Sequence, residues 1–135
     1  ASRAQLTHDV IIPSLDSGLI VIADRFKDST LAYQGGGRGL GINYLLQLND
    51  FATFELDPDI TFFIDVTADE GHRRLNSKNP DRIEGAGKIF QEKVREQYLK
   101  LARIYSDRFI VLDGEKTAEE IHQIIRLEIK TIREK

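Results

Sequence analysis

The sequence contains no cysteine, no methionine and only three histidines. Without cysteine the chain has neither disulfide bonds nor thiolate ligands for a metal, and three scattered histidines do not form a zinc cluster. No apolar run approaches the roughly 18 residues that a membrane-spanning helix requires. A net charge of −3 gives no general attraction to nucleic acid or to an anionic membrane. Any anion-binding site must therefore be local.

The chain begins on Ala-Ser-Arg-Ala-Gln, without an initiating methionine and without a cap or strand before its first helical residues. We therefore expect the N-terminus of the natural protein to lie upstream. The absence of cysteine fits a reducing compartment, and we expect the protein to be cytoplasmic. With 135 residues, of which 41% are hydrophobic and 30% charged, the chain has the size and composition of one globular domain.

Two phosphate-binding motifs are also missing. No window fits the P-loop pattern G-x-x-x-x-G-K-[ST] or the dinucleotide pattern G-x-G-x-x-G. Gly87-Lys88 comes nearest to a P-loop, but Ile89 follows it and Arg82 occupies the place of the first glycine. Residues 23–41, ADRFKDSTLAYQGGGRGLG, hold five of the ten glycines, yet they match neither motif.

The hydrophobic pattern alternates between helical periods and short continuous apolar runs. Helices are predicted over 2–17, 42–54 and 88–105. A short helix is predicted after the capping box at 67–70, and a final helix after the capping box at 117–120. Buried strands are predicted at 19–23, 60–66 and 109–112. Residues 73–87 are polar and basic and have no hydrophobic period. This alternation predicts an α/β fold with a doubly wound parallel sheet of three strands.

Polar residues follow each predicted strand. Asp24-Arg25 follow the strand at 19–23, Asp65 lies near the end of the strand at 60–66, and Asp113-Gly114 follow the strand at 109–112. Because an open α/β sheet binds ligands beyond the carboxyl ends of its strands, this edge is the expected site.

Five segments carry a family resemblance that extends along the whole chain: SRAQ (2–5), IVIADRF (20–26), STLAYQGGGRG (29–39), PDITFFIDV (58–66) and DRIE (81–84). Together they resemble bacterial thymidylate kinase, a nucleoside monophosphate kinase with a P-loop that phosphorylates dTMP with ATP. The resemblance implies a parallel sheet with helices on both faces, a single domain over 1–135 and a lid at about 72–87. It implies dTMP and ATP as partners, Mg2+ as cofactor, and a homodimer when the protein is whole.

The chain departs from the family at one important point. The family's first strand, its P-loop and its second strand have no counterpart here, so three of five strands are expected. The resemblance implies that the chain is the C-terminal two-thirds of the enzyme. The absent central strand would lie between residues 19–24 and 60–66.

The resemblance assigns the acceptor phosphate to Arg25, which could clamp it with a bidentate guanidinium. Asp24 would hold a magnesium-bound water or orient Arg25. The alternatives are a structural ion pair for Arg25 and a capping role for Asp24.

Arg3, Thr30, Tyr33 and Gln34 look like the family's nucleoside pocket. Gln34 has both a donor and an acceptor for the O4/N3 edge of thymine, and Arg3 could donate to the base. Tyr33 lies where the family crowds the 2′ position and so prefers deoxyribose. The alternative is an exposed helix arginine beside a half-buried tyrosine.

Four basic residues fall in the expected lid and would bind the ATP phosphates: Arg73, Arg74, Lys78 and Arg82. Of these, Arg74 and Arg82 are the expected catalytic residues. The alternative is that the four basic side chains are simply solvated in a polar loop. All three histidines (His8, His72 and His122) are interpreted as surface residues.

Two functions are compatible with the sequence. The first is a dTMP kinase when whole, which gives dTDP for dTTP synthesis, with this chain inactive alone because it lacks a P-loop. The second is a non-catalytic module of the same family that binds nucleotide or mediates interactions. A different nucleoside monophosphate kinase is disfavoured by the STLAYQGGGRGL segment.

Overall fold

The computed structural model describes residues 2–37, 41–78 and 85–134. Its elements, in chain order, are α1 (Ser2–Leu6), a π-helical turn (Thr7–Ile11), α2 (Ile12–Asp16), α3 (Lys27–Thr30), a π-helical segment (Leu31–Gly37), α4 (Ile42–Ala52), β1 (Thr61–Asp65), α5 (Ala68–Lys78), α6 (Gly85–Ile104), β2 (Phe109–Asp113) and α7 (Ala118–Arg133). None of the helices in these ranges is long and apolar enough to cross a membrane.

The first helical path runs from Ser2 to Asp16, close to the predicted helix over 2–17. It widens into a π-helical turn before Pro13, a residue that has no backbone N–H for the regular ladder. The path ends at Gly18, whose φ of 81° is accessible to glycine at little cost. The end of this path lies within one residue of the predicted end at 17.

Two parallel strands make up the sheet within the described ranges. β1 and β2 pair in register from Thr61 opposite Phe109 to Asp65 opposite Asp113. The strands predicted at 60–66 and 109–112 are therefore confirmed. Their common direction brings both carboxyl ends to one edge, as expected for an α/β sheet.

The third predicted strand, at 19–23, is not formed. These residues have no regular secondary structure, and Leu19, Ile20 and Ile22 are exposed. A buried strand needs a neighbouring strand to pair its backbone N–H and C=O groups. The described residues place no strand beside it, so the prediction of three strands is corrected to two.

Helix α6 supplies the centre of the core. It packs against the π-helical segment, α5 and β2, and its buried stripe includes Val94 and Leu101. The core cluster comprises Leu31, Ala32, Leu45, Val94, Leu101 and Phe109. This packing connects the glycine-rich stretch of the sequence to the sheet.

Helix α5 extends further than predicted. Residues 73–78, expected as part of a polar lid, continue the helix that begins after Thr67. The Thr67 hydroxyl accepts from the Glu70 N–H, and Glu70 forms i,i+3 and i,i+4 ion pairs with Arg73 and Arg74. Such local pairs support a helix even without a hydrophobic period.

Part of the glycine run is helical. Gly35–Gly37 complete the π-helical segment, and residues 38–40 lie outside the described ranges. Glycine tolerates the unusual backbone of a wide helix because it has no Cβ.

Candidate functional site

Arg25 lies just after the irregular apolar segment 19–23 and just before α3. Its φ of 68° is unusual for a residue other than glycine, and such conformations are often found at functional sites. The guanidinium Nη2 donates to the Tyr33 hydroxyl at 3.1 Å, and the guanidinium carbon lies 4.9 Å from the Tyr33 ring centroid. Arg25 is exposed, so its remaining donors are accessible to a ligand.

Asp24 is exposed beside Arg25. Among the described residues, no hydrogen bond or ion pair joins its carboxylate to a partner. The structural ion pair that was the alternative for Arg25 is therefore not formed with Asp24 in this part of the chain.

The expected nucleoside residues come from α1, α3 and the π-helical segment. Arg3 donates through Nη1 to the Thr30 hydroxyl, which joins two elements 27 residues apart in sequence. Thr30, Tyr33 and Gln34 are half-buried. The structure thus joins Arg3 with Thr30 and Arg25 with Tyr33.

Two aromatic side chains contact Tyr33 on the side away from Arg25. Its ring centroid lies 6.1 Å from that of Phe90 and 6.4 Å from that of Tyr98, which it meets edge to face. Tyr98 stacks on Phe63 at 4.7 Å and donates its hydroxyl to Ser29 Oγ at 2.7 Å. Burial raises the pKa of the Tyr98 phenol, so it remains a neutral donor near pH 7.

A cavity of about 220 Å³ lies at the carboxyl end of β1, between α5 and α6. Its lining includes Tyr33, Phe63, His72, Leu75, Gln91 and Tyr98. Tyr33 therefore lines this cavity and also contacts Arg25. Apolar walls with a few polar groups are typical of small-molecule sites.

His72 was missed by the sequence reasoning. It is half-buried, lines the cavity, and its Nδ1 is buried without a hydrogen-bond partner among the described residues. The prediction that it is a surface residue is wrong, whereas His8 and His122 are exposed as expected. Ala68, His72 and Leu75 line the cavity at helical spacing, so the helical period after Thr67 was the signal that could have placed His72 there.

The strand ends carry an ion pair that the sequence did not reveal. Arg95 binds Asp65 through Nε and Nη2 at 2.7 and 3.3 Å, and these bonds raise the pKa of its guanidinium. Asp113 lies opposite Asp65 in the register, so the predicted convergence of Asp65 and Asp113 is confirmed. The Gly114 N–H donates to the Asp65 carbonyl at 2.8 Å, and a Cβ on Gly114 would lie 2.6 Å from that oxygen.

Arg73 and Arg74 form a second charged group on α5. Arg73 binds Glu70 through Nε and Nη2, whereas Arg74 binds Glu70 through Nε and the Gly114 carbonyl through Nη2. Hydrogen bonds first from Arg73 and then from Arg74 lower the pKa of the Glu70 carboxyl to about 2. The backbone of Lys78 ends α5, and Arg82 lies outside the described residues.

Comparison with known proteins identifies the family. The thymidylate kinase family model matches residues 1–125. A thymidylate kinase of Thermosipho africanus is 49% identical over 135 residues, which are all of this chain and 65% of that protein. That of Fervidobacterium nodosum is 50% identical over 125 residues, 93% of this chain and 63% of the relative. That of Lactobacillus acidophilus is 41% identical over 133 residues, 96% of this chain and 62% of the relative. The chain spans slightly less than two thirds of these proteins, and it belongs to the thymidylate kinase family.

Proposed function

We propose that this chain forms the acceptor side of a dTMP kinase. In the whole protein, an oxygen of the dTMP phosphate attacks the γ-phosphorus of ATP, and dTDP and ADP are released. The observation that carries the proposal is the Arg25–Tyr33 contact, because it places an accessible guanidinium against an aromatic ring beside the half-buried Gln34. The family match supports this interpretation.

Arg25 holds the acceptor phosphate in this proposal. A guanidinium matches the geometry of two phosphate oxygens and stays charged at all physiological pH values. Phosphoryl transfer depends mainly on positioning and on neutralising charge. The unusual backbone at Arg25 directs the side chain towards Tyr33 rather than along the preceding segment.

The nucleoside lies along the residues that follow. Gln34 pairs with the O4/N3 edge of thymine, while Arg3 and Thr30, which contact each other, lie at the base. The Tyr33 ring occupies the space that a ribose 2′-hydroxyl would need. This arrangement favours dTMP over ribonucleotides.

The ATP phosphates are assigned to the basic residues of the lid. Arg73 and Arg74 both bind the Glu70 carboxylate, which an ATP phosphate would replace. Lys78 and Arg82 complete the set, with Arg74 and Arg82 as the proposed catalytic residues. Arg74 is the better placed of the two described lid arginines because it reaches the sheet edge at Gly114.

The residues present fit one magnesium ion. Magnesium is commonly held by one or two carboxylates together with substrate phosphates, and the exposed Asp24 carboxylate meets that requirement. The ion neutralises charge on the phosphates when it is bound. Within the described residues no cluster of three or more potential protein ligands is found.

Titration calorimetry of the 135-residue chain with dTMP and with thymidine tests the acceptor site. We expect Arg25→Ala to weaken dTMP binding by about 10- to 100-fold, since hydrogen bonds to charged groups typically contribute about 1.5–3 kcal/mol. Thymidine, which lacks the phosphate, should bind Arg25→Ala and wild type equally. Arg126→Ala, a substitution of an exposed arginine on α7, serves as control. Failure of the wild-type chain to bind dTMP would overturn the proposal.

Turnover separates the kinase from the non-catalytic alternative. The 135-residue chain has no P-loop motif, and we expect it to form no dTDP from dTMP and ATP. Detectable dTDP by chromatography would contradict that expectation.

The coding DNA upstream of Ala1 is a second test. An in-frame G-x-x-x-x-G-K-[ST] motif there would support the kinase, whereas a start codon at Ala1 would support the non-catalytic module.

A further inference from the structure

We propose that Tyr98 on α6 sets the position of the Tyr33 ring and thereby the preference of the acceptor site for deoxyribose. This inference rests on the proposed function. Within the described part of the proposed nucleotide site, Tyr98 makes its ring contact with Tyr33, and we therefore treat it as a positioning residue. Its position 65 residues after Tyr33 in the sequence gives no sign of such a role.

Outside its own helix, Tyr98 is fixed by contacts with β1 and with α3. Its ring stacks on Phe63 of β1 with an interplanar angle of 16° and a centroid distance of 4.7 Å. Its hydroxyl donates to Ser29 of α3 at 2.7 Å. Because β1 and α3 both hold it, the ring of Tyr98 has little freedom to move.

Tyr33 depends on its neighbours far more. It lies in the π-helical segment, directly before Gln34 and Gly35–Gly37, in a backbone that is less regular than an α-helix. It is only half-buried, and its ring meets Tyr98 edge to face at 86° and Phe90 at a tilt. The outer face is against Arg25, which is exposed. The inner aromatic contacts therefore determine how far Tyr33 extends into the proposed sugar site.

The alternative is that Tyr98 is simply a core residue. In that case its loss would weaken binding of deoxyribo- and ribonucleotides by the same factor. If it positions Tyr33, its loss changes the ratio of the two affinities. The ratio is therefore the decisive measurement.

The experiment compares dTMP with ribothymidine 5′-monophosphate in calorimetric titrations of the 135-residue chain. Tyr98→Leu removes both the ring and the hydroxyl, and we expect the preference for dTMP to fall by about two- to tenfold, the range that an aromatic pair contributes. Tyr98→Phe keeps the ring and its stacking on Phe63 but loses the bond to Ser29. We expect it to remain folded and to reduce the preference by about twofold.

Tyr105→Leu is the matched control. Tyr105 packs against the same core cluster and contacts Arg108, with the guanidinium carbon 4.7 Å from its ring centroid. The same substitution is thus made directly after the C-terminal end of α6, seven residues beyond Tyr98, and the preference for dTMP should not change. In the Tyr33→Ala background, Tyr98→Leu should have no further effect on the ratio, because the ring that it positions is gone.

The outcomes distinguish the inference from the function on which it rests. A wild-type chain that does not bind dTMP overturns both. A wild-type chain that binds and prefers dTMP, with an unchanged preference in folded Tyr98→Phe and Tyr98→Leu, overturns the role of Tyr98 alone. If circular dichroism shows that Tyr98→Leu is unfolded, Tyr98→Phe decides, and an unchanged ratio in that variant contradicts the proposal.

Discussion

At the scale of single residues, two adjacent charged side chains are buried in α3, at Lys27 and Asp28. Burial opposes the charged form of Lys27, but hydrogen bonds from its Nζ to Asp57 and Asp50, at 2.6 and 3.0 Å, leave its pKa above the ordinary value. Asp28 accepts two bonds of 2.9 Å from Arg108. Because each buried charge is paired, α3 is held firmly next to the proposed nucleotide site.

Glu70 gives a prediction of pH dependence at the same scale. Its pKa of about 2 in the folded chain lies below the ordinary value of 4.5, so its ion pairs stabilise the fold above pH 4.5. This contribution is lost as the pH falls from about 4.5 to about 2. We expect the Glu70 carboxyl carbon signal in NMR to titrate near pH 2.

Glu70→Gln should remove the corresponding part of the acid dependence of the free energy of unfolding. Glu96→Gln, on an exposed position of α6, provides the comparison. A Glu70 midpoint close to 4.5 would show that the ion pairs with Arg73 and Arg74 do not persist in solution.

At the scale of elements, local signals predicted helix starts well. The capping box before α7 is complete: the Thr117 hydroxyl accepts from the Glu120 N–H at 3.1 Å, and the Glu120 carboxylate accepts from the Thr117 N–H at 2.9 Å. Both partners lie three residues apart in the sequence, so no distant contact is needed. The end of α5 was harder to predict, because ion pairs replaced the hydrophobic period on which the prediction relied.

The buried stripe of α6 is the element on which the core depends most. Leu101 is 4% exposed and belongs to the core cluster, whereas Ile104, one turn later, is 63% exposed. We expect Leu101→Ala to lower the free energy of unfolding by about 2–5 kcal/mol, and Ile104→Ala by about 0.5 kcal/mol or less. Urea unfolding followed by circular dichroism measures both. Equal losses at the two positions would contradict the observed orientation of α6.

At the scale of the whole molecule, the apolar segment at 19–23 differs between the prediction and the structure. The sequence predicts a strand buried on both faces, while the structure leaves Ile22 86% exposed. The edge of β1 that does not face β2 has no strand beside it within the described residues. An apolar segment and an unpaired strand edge in one molecule favour association with another chain.

The substitution Ile22→Lys distinguishes a buried strand at 19–23 from an exposed segment. At an exposed position, the substitution should change the free energy of unfolding by no more than about 0.5 kcal/mol. Leu112→Lys, in β2 where the side chain is 4% exposed, should prevent folding or destabilise the chain severely. A loss of several kcal/mol for Ile22→Lys would show that the segment is buried in solution.

Sedimentation at increasing protein concentration, with and without the Ile22→Lys substitution, tests the homodimer, which stays a prediction.

The family resemblance assigned the candidate-site residues, and most of them lie close together along the chain. Asp24, Arg25, Thr30, Tyr33 and Gln34 fall within eleven consecutive positions. Their neighbours could not be predicted in the same way. Tyr98, Arg95 and His72 reach the site only through the packing of α5 and α6 on β1.

By itself, the sequence determined the family, the helix caps, the strands at 60–66 and 109–112 and the absence of a P-loop motif, since each is encoded by neighbouring residues or by short-range periodicity. The tertiary structure decided which apolar runs are buried, which charges are paired and which aromatic rings touch Tyr33. A strand at 19–23 requires a partner for its backbone, and Arg95 requires the carboxylate of Asp65, 30 residues earlier. Such requirements are met or left unmet only when distant parts of the chain come together.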